Sequence, residues 1–486
     1  MKKIIKRGTA FVLATILAVG VSGCTNKEET EIYEIKYYSY NTPYKDDERV
    51  MEKVNEYLEE KIGARVNWVN IQPSEYKEKT KMLFSSNDKF DVCFTASYTD
   101  FYNNVNNGVF IPLDELLQNE GKEIYEMTPD YFFDAATVNG KIYALPVIKD
   151  VAEEWVISVK TWLVEKYQMN VDNVKSLSDV ETLLQTVKDN EPEIYPILIR
   201  GNNNLFKFLP FEAVDGCSVG AFKTDDYGKI INQYETEEAK EFFKLMRRWY
   251  QKGFMRSDAA TATSDSDIRA TQNWFASYGG YLPYNEIKPT ATEKEKQIYI
   301  HGLNKPHIRT GNVLGAAFAI SSNSENPQKV MEFINLLNTD VYLRNLVAYG
   351  FEGVHYEAVG DTHYKLPDGV SKKEDTGYAP AVFPQGNRFL LRIEDGKPAD
   401  LWDKFEEFNN TAEVSPALGF VFNPENVMKE IAAMENVYQE FAPSLMVGAT
   451  DPEEYLPKFL EKLKVAGSEK VIAEMQKQYD EWKTNK

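Results

Sequence analysis

Four histidines (His301, His307, His355 and His363) and three cysteines (Cys24, Cys93 and Cys217) are the side chains best suited to hold a metal or act as a nucleophile. The histidines form no His-Glu-x-x-His pattern or closely paired zinc spacing, and neither Cys93 nor Cys217 has a metal-ligand companion nearby. No Gly-x-Ser-x-Gly elbow, P-loop or dinucleotide glycine fingerprint occurs. The carboxylates of Asp225-Asp226-Tyr227-Gly228 and Asp265-Ser266-Asp267 do not fit an EF-hand loop and read as turns or helix starts. The pattern implies neither a metal nor a cofactor. One catalytic alternative stays open: a glycosidase needs only two carboxylates across a cleft, and 75 acidic residues offer many pairs. That alternative is a secreted polysaccharide-degrading enzyme.

The aromatic side chains say more. Among 29 Tyr, 27 Phe and 7 Trp, several tyrosines stand in polar, Gly- or Asn-containing segments, as in Tyr37-Tyr38-Ser39-Tyr40-Asn41 and Tyr278-Gly279-Gly280-Tyr281-Leu282-Pro283-Tyr284. An amphipathic ring offers an apolar face to the C–H side of a sugar and a hydroxyl for hydrogen bonding. The same rings also suit half-buried positions at sheet edges. A formal net charge of -20 repels phosphate backbones and anionic headgroups, which argues against nucleic acid as a partner.

At the start of the chain, Lys2, Lys3, Lys6 and Arg7 precede an apolar stretch over residues 9–21. It is shorter than the ~20 residues a spanning helix needs, so residues 1–23 are expected to be a secretory signal. Val21-Ser22-Gly23-Cys24 resembles the bacterial lipobox, in which the cysteine becomes the lipidated first residue of the mature chain. That resemblance implies a lipid on Cys24, a solvated tether over residues 24–31 and attachment to the outer face of the bacterial cytoplasmic membrane. An ordinary cleaved signal is the alternative. The remaining thiols, Cys93 in a strand-like segment and Cys217 in an unrelated loop, are not expected to form a disulfide framework. A hydrophobic fraction of 43% in a chain of this length supports two ordinary domains without staples.

Periodicity supplies the elements that must position these residues. Residues 32–38 are β-prone, 46–62 place Val50, Val54, Tyr57, Leu58 and Ile62 at helical spacing, and 64–71 are strand-like again. This βαβ order implies a parallel pair. A helix over 74–84, a buried strand over 90–95, a turn and short helix over 108–117 and a proline-ended strand over 139–146 complete one α/β lobe. A second set follows: a strand over 154–159, helices over 161–167 and 178–189, a strand over 194–199 and an amphipathic helix over 236–253 stopped by Gly253. After a small apolar stretch over 311–320 and a helix over 326–338, three helices over 425–441, 451–465 and 469–482 end the chain. Pro443-Ser444 with Gly448, and then Gly467, are read as the breaks between them.

In parallel sheets ligands gather at the carboxyl ends of strands. That rule selects Tyr40 and Asn41 after the first strand, Ser97 and Tyr98 after the third, and Asn203 within the Asn202–Asn204 run. It adds Trp155 beside the first passage between lobes, and Tyr281 with Tyr284 beyond a strand ending near Ala276. Glu352 and Asn387, polar residues among turn glycines, either hydrogen-bond a hydroxyl or cap loops. Such a set favours a neutral hydroxylated ligand. A polyamine or cationic peptide would want inward carboxylates, and a free amino acid an arginine clamp.

Several phrases, in this order, carry a family resemblance: Gly108-Val109-Phe110-Ile111-Pro112-Leu113-Asp114, Val138-Asn139-Gly140-Lys141-Ile142-Tyr143-Ala144-Leu145-Pro146, Asn326-Pro327-Gln328-Lys329-Val330-Met331-Glu332-Phe333 and Tyr349-Gly350-Phe351-Glu352-Gly353. With the tail from Gly419-Phe420 to Gln478-Tyr479-Asp480-Glu481-Trp482, the chain resembles the extracellular solute-binding lipoproteins of ABC importers, in the long branch with an extra helical domain. The resemblance implies an α/β, two-lobed periplasmic-binding-protein fold of type II, with a hinge and additional C-terminal helices. Lobe I would comprise residues 32–149 and 312–350, lobe II 150–311 and 351–424, and residues 425–486 a helical region packing on lobe II. The hinge crossings are expected near 146–153, near 311–320 and after Tyr349. Sugar-binding members place an aromatic just after the strand that precedes Tyr281, which carries that role onto Tyr281. The implied protein is a monomer that captures an oligosaccharide by lobe closure and delivers it to ABC permease subunits. The alternative within transport is a peptide or another small solute.

Overall fold

The computed structural model describes residues 32–86, 88–288 and 291–485, so the signal segment, Cys24 and the tether lie outside the described residues. The first lobe is built on a five-stranded sheet in the order Ala64–Ile71, Tyr33–Tyr40, Val92–Thr95, Ala317–Ile320, Leu145–Pro146. The first three strands are parallel, with Tyr33 opposite Ala64 and Tyr37 opposite Val92. Ala317–Ile320 runs antiparallel to its neighbours on both sides. The parallel pair exists because the helix Asp47–Ile62 makes the crossover, laying Val50, Val54 and Leu58 against the sheet. Gly63 ends it at φ 63°, its N–H donating to Glu59 O. The helix Pro327–Thr339, capped by the Asn326 side chain, buries Val330, Met331, Phe333, Ile334 and Leu337 in the same core.

The second lobe has a four-stranded sheet in the order Gln297–Ile300, Glu154–Lys160, Trp274–Tyr281, Tyr195–Ile197. The strand expected to stop near Ala276 continues through both glycines to Tyr281. Gly279, Gly280 and Tyr281 pair with Val156, Trp155 and Glu154, and this cross-strand ladder outweighs the low strand propensity of glycine. The amphipathic helix Glu237–Gln251 packs Phe242, Phe243, Met246 and Trp249 into the lobe's core, with the Thr236 side chain accepting from Ala239 N.

Three helices close the chain, Met428–Met446, Pro452–Ala466 and Ser468–Asn485, and they share the second lobe's core through Met434, Phe441, Phe459, Leu463 and Met475. The expected break at Pro443 does not occur: this proline sits inside the helix Met428–Met446. Its ring packs against Gly201, where an added Cβ would lie 2.6 Å from Pro443 Cβ, so tertiary contact outweighs the local penalty. Gly448, at φ 72°, brings the tail against the helix Glu237–Gln251 so closely that a Cβ there would meet Met246 O.

The segment over 351–391, expected with the second lobe, packs on the first. Tyr378 joins the core of Ile35, Val330 and Phe333. Asn41 donates to Ala381 O at 3.1 Å and accepts from Ala381 N at 3.0 Å. The buried Arg344 guanidinium donates to Asn387 O (3.0 Å) and Val382 O (2.7 Å). The third crossing therefore falls beyond Leu391, ahead of the helix Leu401–Thr411, and not directly after Tyr349. Among the described residues no helix is long and apolar enough to cross a membrane. Cys93 and Cys217 are both free thiols.

Candidate functional site

The passages between lobes are tied to one another by polar contacts. Lys149 Nζ donates to Asn312 O at 3.1 Å, joining the first passage to the second. Asp150 is ion-paired to Arg388. The buried Asn409 side chain accepts from Val151 N (2.9 Å) and Ala152 N (3.0 Å) and donates to Lys149 O (2.9 Å), which clamps the first passage onto the helix Leu401–Thr411.

Beside these passages lies a cleft of about 940 Å³ between the lobes. The first lobe contributes Tyr98, Asp100, Tyr102, Asn103, Asn106 and Asn139. Across from them stand Asp215 and Gly216 of the second lobe, Thr310 and Gly311 of a passage, and Phe422, Asn423 and Trp482 of the C-terminal region. A smaller hollow of about 190 Å³ shares Asp215, Thr310, Gly311, Val421 and Phe422 with it and is lined in addition by Glu153, Glu212 and Arg309. There, burial alone would raise the Glu153 carboxyl, but the His307 contact and the charges of Arg309 and Lys207 hold it below its ordinary value. Asp215 is pushed up by burial, opposed by Arg309.

Ser97 and Tyr98 are the sequence-selected residues that line the main cleft, and the Tyr98 side chain is 49% exposed there. It belongs to an aromatic platform on the first lobe. Tyr40 stacks on Phe94 with centroids 4.7 Å apart and meets Tyr98 and Phe383 edge-on at 6.1 Å and 6.3 Å. On the second lobe Trp155, next to Glu153, lies 6.1 Å from Tyr278, and the Lys207 ammonium sits 4.2 Å from its ring centroid. The Tyr278 hydroxyl donates to Asn203 Oδ1.

The other expected residues do not line this cleft. Tyr281 is half-buried, edge-on to His301 at 4.4 Å and near Phe408 at 5.9 Å. Tyr284 hydrogen-bonds Asp400. Asn41 is committed to the Ala381 backbone. The buried Asn387 accepts from Phe389 N and donates to Asn338 O. Glu352 is exposed in the turn beside Phe351, whose ring lies under Arg49 on the outer helix of the first lobe. Sequence reasoning missed Tyr102, Asp215, Phe383 and Asn423, which follow no strand that periodicity had marked, and it used Trp482 only as part of the tail phrase. No group of three or more His, Cys, Asp or Glu able to hold a metal exists among the described residues.

Two α/β lobes joined by several passages around a cleft define a two-lobed binding protein. The chain belongs to the bacterial extracellular solute-binding protein family, whose pattern matches residues 42–342. Residues 416–484 match a domain of unknown function. Over 98% of its length the chain is 30% identical to a carbohydrate ABC transporter substrate-binding protein of Streptococcus pneumoniae, of which it covers 98%. It is also similar to the crystal structure of an N-glycan transport solute binding protein from the same organism: TM-score 0.80, 28% identity, 92% of this chain and 98% of that one. The same N-glycan protein in complex with Man5GlcNAc overlays with a TM-score of 0.65 at 29% identity, over 93% and 99% of the two chains.

Proposed function

We propose that this protein is the oligosaccharide-capturing component of an ABC importer. It is lipid-anchored at Cys24 on the outer face of the cytoplasmic membrane, acts as a monomer, and hands its sugar to permease subunits. The observation that carries this reading is the interlobe cleft of about 940 Å³, whose lining sets the rings of Tyr98, Tyr102 and Trp482 and the amides of Asn103, Asn106 and Asn423 among several carboxylates. Its size falls in the range of small-molecule sites, roughly 300–1,000 Å³. Amides satisfy hydroxyls in both donor and acceptor senses, and ring faces cover the apolar side of a sugar. The relatives' names, a carbohydrate transporter component and an N-glycan transport protein, support the same ligand class.

Capture works by closure. A ligand that touches both lobes binds the closed form better than the open one, and its differential affinity sets how far the equilibrium moves. Tyr98 and Trp155 are the proposed sugar-stacking residues, with Tyr40, Asn203 and Tyr281 supporting them. Asn41 and Asn387 hold loops, and Tyr284 and Glu352 contribute at most at the rim.

The test is a thermal-shift screen against neutral and acidic oligosaccharides, peptides, amino acids and polyamines. A ligand at ~100 times its dissociation constant adds about 2.7 kcal/mol to the folded state, a readily measured rise in melting temperature. A shift with one class of oligosaccharide is expected. A shift with peptides or polyamines and none with any glycan would refute the ligand class.

A further inference from the structure

The C-terminal helices make one wall of the cleft, and the chemistry of that wall is selective. The Trp482 ring is held in place by Tyr479, stacked at 5.6 Å and 22°, and by Phe420 at 5.9 Å, and it lines the cavity together with Asn423 and Glu481. Asn423 is fixed from behind: its N–H donates to Gln478 Oε1 (2.9 Å), its carbonyl accepts from Gln478 Nε2 (2.9 Å), and its Oδ1 accepts from Glu425 N (3.0 Å). Among the described residues its side-chain N–H₂ group meets no hydrogen-bond partner. Asn103 and Asn106 present exposed amides from the first lobe.

The charge of the lining is one-sided. Among the described residues that line the cavity, Asp100, Asp134, Asp215 and Glu481 are acidic and Lys77 is basic, and Lys77 is already paired with Asp100 at 2.9 Å. A sugar carboxylate brought into this space would meet like charges at close range in a partly desolvated site, whereas a neutral ring would meet donors, acceptors and an aromatic face.

Building on the proposed sugar capture, we propose that the domain over residues 416–484 is part of the binding site: Trp482 and Asn423 hold a neutral hexose unit, and the acidic lining rejects uronate and sialate units. The domain is therefore a specificity element and not only a buttress for the second lobe.

The test is calorimetric titration of the full chain, held in detergent, with a panel of neutral oligosaccharides including Man5GlcNAc, and with tetragalacturonate as the acidic probe. Asn423→Asp keeps the Oδ1 acceptor for Glu425 N and replaces the outward amide by a carboxylate, so folding is retained. It should weaken the neutral ligand about tenfold, as should Trp482→Ala. Glu481→Gln should raise the affinity for the uronate relative to that for the neutral ligand about tenfold. Unchanged neutral affinity in Asn423→Asp and Trp482→Ala would overturn the role of the tail while leaving sugar capture intact. Failure of the unaltered chain to bind any neutral oligosaccharide would overturn the sugar-capture proposal, and this assignment with it.

Discussion

Replacing Asn409 by alanine should loosen the first passage between the lobes without touching either core. The side chain is buried and serves three backbone groups of one short segment: Val151 N–H, Ala152 N–H and Lys149 C=O. Val151 and Ala152 are themselves 2% and 6% exposed, so their amides cannot turn to bulk solvent without local opening. Leaving a buried donor unpaired costs about 1–3 kcal/mol, which puts the two amides together at about 2–6 kcal/mol. Taken at its lower end, that is about a 30-fold rise in the population of the locally opened segment. Hydrogen exchange followed by mass spectrometry on peptides covering residues 147–153 reads this directly. Exchange at Val151 and Ala152 should accelerate about 30-fold or more, while the strands Tyr33–Tyr40 and Glu154–Lys160 keep their protection. Asn409→Asp retains the oxygen acceptor and should keep most of the protection of both amides. Exchange in Asn409→Ala within about threefold of the unaltered chain would refute the assignment of Asn409 as the clamp of this passage.

Three further outcomes are expected. Tyr98→Ala removes a half-exposed ring from the cleft and should weaken the bound oligosaccharide about tenfold, or about 1.4 kcal/mol, with little change in melting temperature; titration calorimetry checks it. Arg344→Met breaks two charge-assisted hydrogen bonds to Asn387 O and Val382 O, each worth about 1.5–3 kcal/mol, and should destabilise the first lobe by about 3–6 kcal/mol in denaturant unfolding. The Glu154 carboxylate, hydrogen-bonded to His301 at 3.0 Å, raises the imidazole above its ordinary 6.5. The stability this pair adds is complete below pH 6.5 and is lost as pH rises through the folded-state midpoint. NMR titration should find that midpoint above 6.5, and Glu154→Gln should bring it down.

Much of the fold was legible because it is written in local periodicity. The alternation around Ile35 and Tyr37, the helical spacing of Val50, Val54 and Leu58 and the apolar run at Val92–Thr95 give the βαβ core of the first lobe. The course of residues 351–391 was not legible. It is decided by Asn41 reaching Ala381 and by Arg344 reaching Asn387, contacts without a local signature. The site divides in the same way. Tyr98 follows a strand, and the strand-end rule finds it. Trp482 has the spacing of an ordinary core residue on an amphipathic helix, and only the packing of that helix against Phe420 brings it to the cleft. Asn41 and Asn387 sit where the rule or a glycine turn suggests a ligand, yet both are buried, and the need to satisfy neighbouring backbone groups claims their amides.

The placement of Ala317–Ile320 between Val92–Thr95 and Leu145–Pro146 also constrains when the protein can fold. A nascent chain that ends before residue 317 holds every parallel strand of the first sheet but not the strand that joins them to Leu145–Pro146. The second lobe waits longer still, since Phe441, Phe459, Met475 and Tyr479 complete its core from the last part of the chain. Neither half can be finished as an N-terminal fragment, so synthesis runs ahead of folding and the growing polypeptide stays open until it is nearly whole. Truncation at residue 416 should accordingly yield an insoluble second lobe, and partial chains should be cleared by proteolysis instead of accumulating as half-built binding proteins.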